Sequence, residues 1–304
     1  MREYKGIDIG RLVFACLIPF LHISFGGGRI LILQQYVARL GVPFFFAVSG
    51  MFLALRCENG HRMDVWKKYV LKIGRLLVVW LIIDLPAMIF RSEITIQTLI
   101  FETPGYLWYL TGLLVATIPF CFIRNRKILY IVSASLYIVG TIYGEAYEWL
   151  TGGWPLYKSI FLTTRNGVFF GLPMMCIGEL TWKYNRNPRK GLAIATVFLV
   201  LEITFVGMHT TGYGSMYLFL PAVCYYLIVV LRAWRPKFDC PYAAGLSSAI
   251  YLVQYVIIAF MQKIVKIIGI NTLIWSWITY FSVIACAVVI YFTLKNKKLG
   301  KILF

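Results

Sequence analysis

Ten predominantly apolar runs recur along the chain, over residues 9–25, 37–55, 73–90, 106–123, 128–143, 166–182, 191–208, 214–231, 247–265 and 274–294. Each is close to the roughly 20 residues that an α-helix needs to cross a hydrocarbon layer. The connections between them are short and polar. The pattern predicts an all-α fold, a polytopic membrane protein with about ten transmembrane helices around a polar cavity. Residues 1–304 are expected to form a single membrane domain, with no room for a separate soluble one. The opening MREYKGIDIGR is followed by no cleavage-site pattern, so the first run is expected to remain as a span.

Charge placement sets the expected orientation. If the first helix enters from the cytoplasm, 23 of the 30 Lys and Arg fall in inner segments. The other seven (Arg29, Arg39, Arg91, Lys158, Arg165, Lys263 and Lys266) lie outside or at the outer boundary. This asymmetry puts both termini in the cytoplasm under the positive-inside rule, with the cell (plasma) membrane as the expected location. Two outer segments, 91–105 and 144–165, mix aromatics, Gly and a few charges and are predicted as short interfacial helices roofing an outward cavity. The inner segment 56–72 reads as an amphipathic helix against anionic lipid or an anionic ligand. No internal repeat is apparent, and matched broken helices in the two halves are missing, which speaks against an inverted-repeat transporter.

Composition narrows the classes further. With 60% hydrophobic residues, 14% charged residues and a mean hydropathy of +0.77, the chain cannot supply the polar surface of a water-soluble domain. A net charge of +18 would suggest nucleic acid in a soluble protein, but the basic residues sit in short loops and no segment interleaves them with base-stacking aromatics. The seven cysteines lie mostly inside apolar runs, with no CxxC pair and no Cys/His spacing suited to a metal. They are expected to be free core residues, and no metal site is expected.

Ionisable groups inside a span are costly unless they face water or a partner, so each is a candidate site. On the first run, Asp8, Arg11 and His22 fall on one helical stripe: at 100° per residue, positions 11 and 22 differ by about 20° and positions 8 and 22 by about 40°. Histidine titrates near neutrality and can take a proton from a hydroxyl during acyl transfer. A histidine hydrogen-bonded within the bundle explains the residue equally well. For Asp8 and Arg11 alone, mutual pairing is the simpler reading. Lys72 and Arg75 share a helical face on the inner side and can clamp the phosphates of a donor such as coenzyme A, or simply mark the inner boundary. Gly41, Pro43, Ser49 and Gly50 in the second run suit close packing or a kink. Asp84, Glu179 and Glu202 also fall within spans, each a candidate proton carrier, partner for an Arg, or interfacial group. Arg165 and Asn166 open the sixth run, where they can orient a substrate or anchor the helix.

Several of these segments resemble acyltransferase family 3. Arg11-x10-His22, preceded by GIDIGR, is similar to that family's first-helix motif, and VPFFFAVSG (42–50) to its second. Lys72-x-x-Arg75, LWYL around Trp108 and Tyr109, and SSAIYLVQ (247–254) agree in the same order along the chain. The resemblance implies an acyl-CoA-dependent enzyme that acylates a carbohydrate, often of the cell surface. Carried over, His22 would be the catalytic base, Arg11, Lys72 and Arg75 would hold the donor or support the site, and Trp108, Tyr109 and Tyr251 would line it. The pattern departs at Gln254, where family members often have histidine; glutamine cannot act as an acid or base near neutrality. RNGVFFGLPMMCIG (165–178) is also similar to the membrane part of the vancomycin-resistance serine racemases, although no racemase domain is expected within these 304 residues.

The expectation is therefore a membrane-bound O-acyltransferase, with acetyl as the favoured acyl group. Catalysis is assigned to His22, Arg11 and Asp8, and donor binding to Lys72 and Arg75. Ser49, Trp108, Tyr109, Arg165, Asn166, Tyr251 and Gln254 are expected to line the cavity. No bound cofactor is expected; acyl-CoA enters as donor substrate and a carbohydrate or other hydroxyl compound as acceptor. The expected partners are thus the lipid bilayer and these two substrates, and no nucleic acid. A carrier for a small amino acid such as serine is the alternative from another class.

Overall fold

The computed structural model describes residues 4–26, 32–91, 94, 106–144, 146–151, 163–183, 188–209, 214–238, 240–269 and 273–304. The predicted roof segments 91–105 and 144–165 lie largely outside the described residues, as do Arg2, Arg29, Lys158 and Arg186. Among the described residues every element is helical. The longer ones are α1 (Lys5–Leu17), α2 (Gly41–Asn59), α3 (Arg62–Arg91), α4 (Trp108–Phe122) and α5 (Arg126–Ile142). They continue with α6 (Leu172–Lys183), α7 (Pro188–His209), α8 (Leu220–Ala233), α9 (Ala243–Ile268), α10 (Leu273–Leu294) and the short α11 (Lys298–Leu303). Each predicted apolar run is thus largely helical. Five helical stretches, Leu33–Asn59, Arg62–Arg91, Pro188–His209, Ala243–Val265 and Leu273–Leu294, are long and apolar enough to cross a membrane.

Two sequence expectations change. The segment 56–72 is not a separate amphipathic helix: α2 runs on through Arg56 to Asn59, Gly60 takes an extended conformation, and α3 then continues unbroken from Arg62 to Arg91. Nothing between Lys72 and Arg75 interrupts the ladder, and 30 residues make a helix of about 45 Å, longer than an apolar layer of ~30 Å. The helix is thus longer than a single span requires, and its basic residues Arg62, Lys67, Lys68, Lys72 and Arg75 fall in its first half.

The second change concerns the stripe on α1. Its α-form ends at Leu17, and Ile18–Leu21 wind as a 3-10 turn capped by His22. Pro19 has no N–H to give the carbonyl four residues back, and a 3-10 turn advances about 120° per residue. The single stripe at 100° per residue therefore stops short of His22. Irregular turns recur beside proline elsewhere. A π turn (Leu33–Val37) and a 3-10 turn (Ala38–Leu40) precede Pro43, and a π turn (Gly167–Gly171) precedes Pro173. Each leads into a helix, and the last does so from the stretch carrying the candidate residues Arg165 and Asn166.

The centre of the bundle is the contact between α2 and α6. A Cβ on Gly178 would run into the Ala47 carbonyl, and one on Gly50 into the backbone of Met175. The two glycines thus let the helix backbones touch, which accounts for the ends of both VPFFFAVSG and GLPMMCIG. The first motif also supplies fully buried Phe44 and Phe46, the latter set edge-on to Tyr109 at 4.7 Å.

Two of the three intramembrane carboxylates are absorbed by this framework. Glu179 on α6 pairs with Arg126 on α5 and with Lys183 at 2.8 Å. Glu202 on α7 accepts from the Tyr147 hydroxyl at 2.6 Å and from the backbone N–H groups of Leu218 and Phe219 at 2.6 and 3.0 Å, closing the start of α8. Truncating one partner of a buried pair leaves the other charge unmet. Glu179→Ala should therefore cost about 3–5 kcal/mol, read as a lower melting temperature of the detergent-solubilised protein. A melting curve that matches wild type would remove the pair from the stabilising framework.

Candidate functional site

The predicted site residues gather at two poles. At the first, α1, α2 and α3 bring four cations together. Lys72 lies within electrostatic reach of Arg11, Arg56 and Arg75. Both Lys72 and Arg75 lie on the exposed surface of the bundle. Arg11 pairs with Asp8 at 3.5 Å across one turn of α1, so Asp8 orients and partly neutralises Arg11. The pole keeps a strong positive surplus, which suits a polyanionic group.

The second pole is built around His22. Its ring lies flat on Tyr106, with centroids 3.6 Å apart and planes at 11°. Tyr106 has φ of 61°, the left-handed region that a bulky residue rarely occupies. That backbone turn sends the Tyr106 carbonyl to the Tyr251 hydroxyl (2.7 Å) while its own hydroxyl accepts from Arg91 Nη1 (3.1 Å). Arg91 and Arg165 both act electrostatically on His22. The Arg165 guanidinium lies over Trp108 at 5.0 Å and donates to the Ser215 hydroxyl at 3.3 Å, which also accepts from Arg39 at 2.9 Å. Asn166 is a local cap: its side-chain oxygen accepts from Val168 and Phe169 N–H at 2.9 and 3.1 Å, and its amide donates to Thr163. It holds the turn that carries Arg165.

A line of hydroxyls joins the poles. From Tyr106 it passes to Tyr251, whose ring meets that of Tyr109 edge-on at 5.6 Å. The Tyr109 hydroxyl is 3.0 Å from Ser49 Oγ and donates to the Phe45 carbonyl at 3.2 Å. Ser49 in turn hydrogen-bonds Tyr69, which feels Arg11 and Arg56. Arg11 and His22 thus belong to one constellation through this line, not through a shared helix face.

The last residue predicted to line the cavity is Gln254. It is fully buried, and neither side-chain polar atom has a hydrogen-bond partner among the described residues. Tyr69, Arg56, Tyr106 and Arg91 were missed by sequence reasoning. Tyr69 lies one turn before Lys72, so i,i+3 spacing was a usable signal. Tyr106 had none, because its role depends on a backbone conformation.

A family model described as an acyltransferase domain, that of acyltransferase family 3, matches residues 4–292. The chain belongs to acyltransferase family 3. Curated relatives include an amino-acid racemase of Enterococcus faecalis, 26% identical over 97% of this chain and 46% of that protein. A serine/alanine racemase of Enterococcus gallinarum is 27% identical over 82% of this chain and 40% of that protein. The chain therefore spans less than half the length of these relatives. No solved structure matches it. The family 3 match runs across all the elements that build the two poles, from α1 to α9.

Proposed function

We propose that this chain is a membrane-bound O-acyltransferase that moves an acyl group, acetyl in the simplest case, from cytoplasmic acyl-CoA to a hydroxyl acceptor such as a cell-surface carbohydrate. The observation that carries this reading is the hydroxyl line from the four-cation pole to the stacked histidine. The remaining helical runs complete about ten spans around it, with both termini in the cytoplasm of a cell whose plasma membrane holds the protein. In that orientation the phosphates of the donor rest on Lys72, Arg75 and Arg11, and the thioester enters along Ser49, Tyr109 and Tyr251. An imidazole nitrogen of His22 removes the acceptor's proton as the hydroxyl oxygen attacks the thioester carbonyl. The carbon–sulfur bond then breaks, and the imidazolium returns the proton to the departing thiolate, so no proton is gained or lost overall. Arg165 and Trp108 flank the acceptor.

The test is transfer of labelled acetyl from acetyl-CoA by purified protein in lipid nanodiscs. Labelled acceptor or steady thioester hydrolysis supports the reading, and silence with acceptors of several classes overturns it. A charge-assisted contact contributes about 1.5–3 kcal/mol, so Arg75→Gln and Lys72→Gln should each raise KM for acetyl-CoA roughly tenfold to a hundredfold while kcat changes little. An unchanged KM would move the donor elsewhere.

The racemase names of the relatives favour one second reading, a carrier for a small amino acid. Gradient-dependent accumulation of labelled serine in proteoliposomes without any acyl donor would support it.

A further inference from the structure

Asp84 is the intramembrane carboxyl that neither the framework nor the proposed chemistry uses. It lies on α3 with no exposed surface, and both its oxygens lack a hydrogen-bond partner among the described residues. The helix register brings it to a second such group. Arg91, at the end of α3, donates to Gln262 at 2.6 Å and lies over the Tyr255 ring at 4.8 Å, so α3 and α9 run in parallel there. Seven residues back along α3 is Asp84, and the same step back along α9 reaches the turn of Tyr251, Gln254 and Tyr255. Consistent with this, Asp84 acts electrostatically on Tyr251, and Gln254 lies one turn further along α9. Four side-chain polar atoms, of Asp84 on one candidate membrane span and Gln254 on another, are thus buried without partners among the described residues.

Leaving such atoms unmet costs several kcal/mol, and a carboxylate in that setting persists only with a proton or a cation at hand. We propose that Asp84 and Gln254 form a buried site for an exchangeable monovalent cation, a proton or an alkali ion, between α3 and α9. The carboxyl takes the charge, and the amide carbonyl offers a further oxygen. Among the described residues no other charged side chain is placed to fill that role. On α3 the nearest charges are Arg91, about two turns above, and Arg75, more than two turns below. From α9 the group facing Asp84 is Tyr251, whose hydroxyl is committed to Tyr106. From α4, Tyr109 lies beyond Tyr251; from α11, the Leu303 carbonyl is taken by Trp80. From α2, Ser49 is committed to Tyr109 and Tyr69.

The experiment treats the full chain in nanodiscs with dicyclohexylcarbodiimide, which adds to protonated carboxyls in apolar surroundings, and reads residues 84, 179 and 202 by peptide mass spectrometry. Asp84 should be modified in preference to Glu179 and Glu202, whose carboxylates are held by donors. If the occupant is a proton, modification slows about tenfold per pH unit above the midpoint and ignores sodium. If it is an alkali ion, sodium protects at fixed pH and choline does not. Gln254→Leu should shift the midpoint or weaken the protection while Asp84 remains modified. The proposal is overturned if Asp84 stays unmodified, if its modification ignores both pH and sodium, or if Gln254→Leu leaves the profile unchanged. No acyl donor is involved, so its failure and that of the acyl-transfer reading are separable.

Discussion

His22→Ala should lower kcat/KM for acyl transfer by about 10²–10⁴-fold, the usual contribution of a positioned general base, while the protein still elutes as a single species in detergent. The expectation of an intact fold comes from position. His22 caps a 3-10 turn beyond the end of α1, and its ring is oriented by the face of Tyr106 and not by a side-chain hydrogen bond among the described residues. Alanine removes the imidazole and leaves the turn, whose His22 N–H still reaches the Pro19 carbonyl at 3.1 Å. Acetyl transfer at a near wild-type rate, measured alongside a melting curve, would remove the base from the mechanism and return His22 to the role of a packed aromatic.

Gly178→Leu should prevent accumulation of folded protein, and even Gly178→Ala should lower the melting temperature clearly. The obstacle is the Ala47 carbonyl, part of the α2 backbone, which cannot swing away as a side-chain tip can. Overpacking in a filled interior costs typically about 1–3 kcal/mol, and more where backbone has to move. Gly50→Ala meets the backbone of Met175 and should behave alike. Gly74 is the control: a Cβ there meets open space, and Gly74→Ala within α3 should be neutral or stabilising by up to about 1 kcal/mol. If Gly178→Ala melts with wild type, α2 and α6 do not pack as closely as the structure has them.

The behaviour of these residues separates what composition can carry from what it cannot. VPFFFAVSG was visible as a run of small residues suited to packing or a kink, with Ser49 also expected to line the cavity, whereas GLPMMCIG was visible only as part of a resemblance until the facing helix was known. Gly50 turns out to serve helix contact and Ser49 the hydroxyl line. Glu179, Glu202 and Asp84 were equivalent in the sequence, since each is one acid in an apolar run. Their different roles follow from neighbours distant in the chain: Arg126 for Glu179, Tyr147 and the start of α8 for Glu202, and unpartnered Gln254 on the helix beside Asp84.

Hydropathy by itself determined that the chain is a helical membrane protein and where its helices fall, because hydrocarbon forces backbone groups to bond locally and so writes each span into one contiguous stretch. Local spacing also placed Asp8 beside Arg11 and Lys72 beside Arg75. Only the tertiary structure decided that His22 leaves the Arg11 stripe, that Tyr106 and Tyr251 lead back to it, and that Asp84 and Gln254 are buried without hydrogen-bond partners among the described residues. Those relations depend on proline-interrupted turns and on the register between helices far apart in sequence, neither of which a periodicity along one helix encodes.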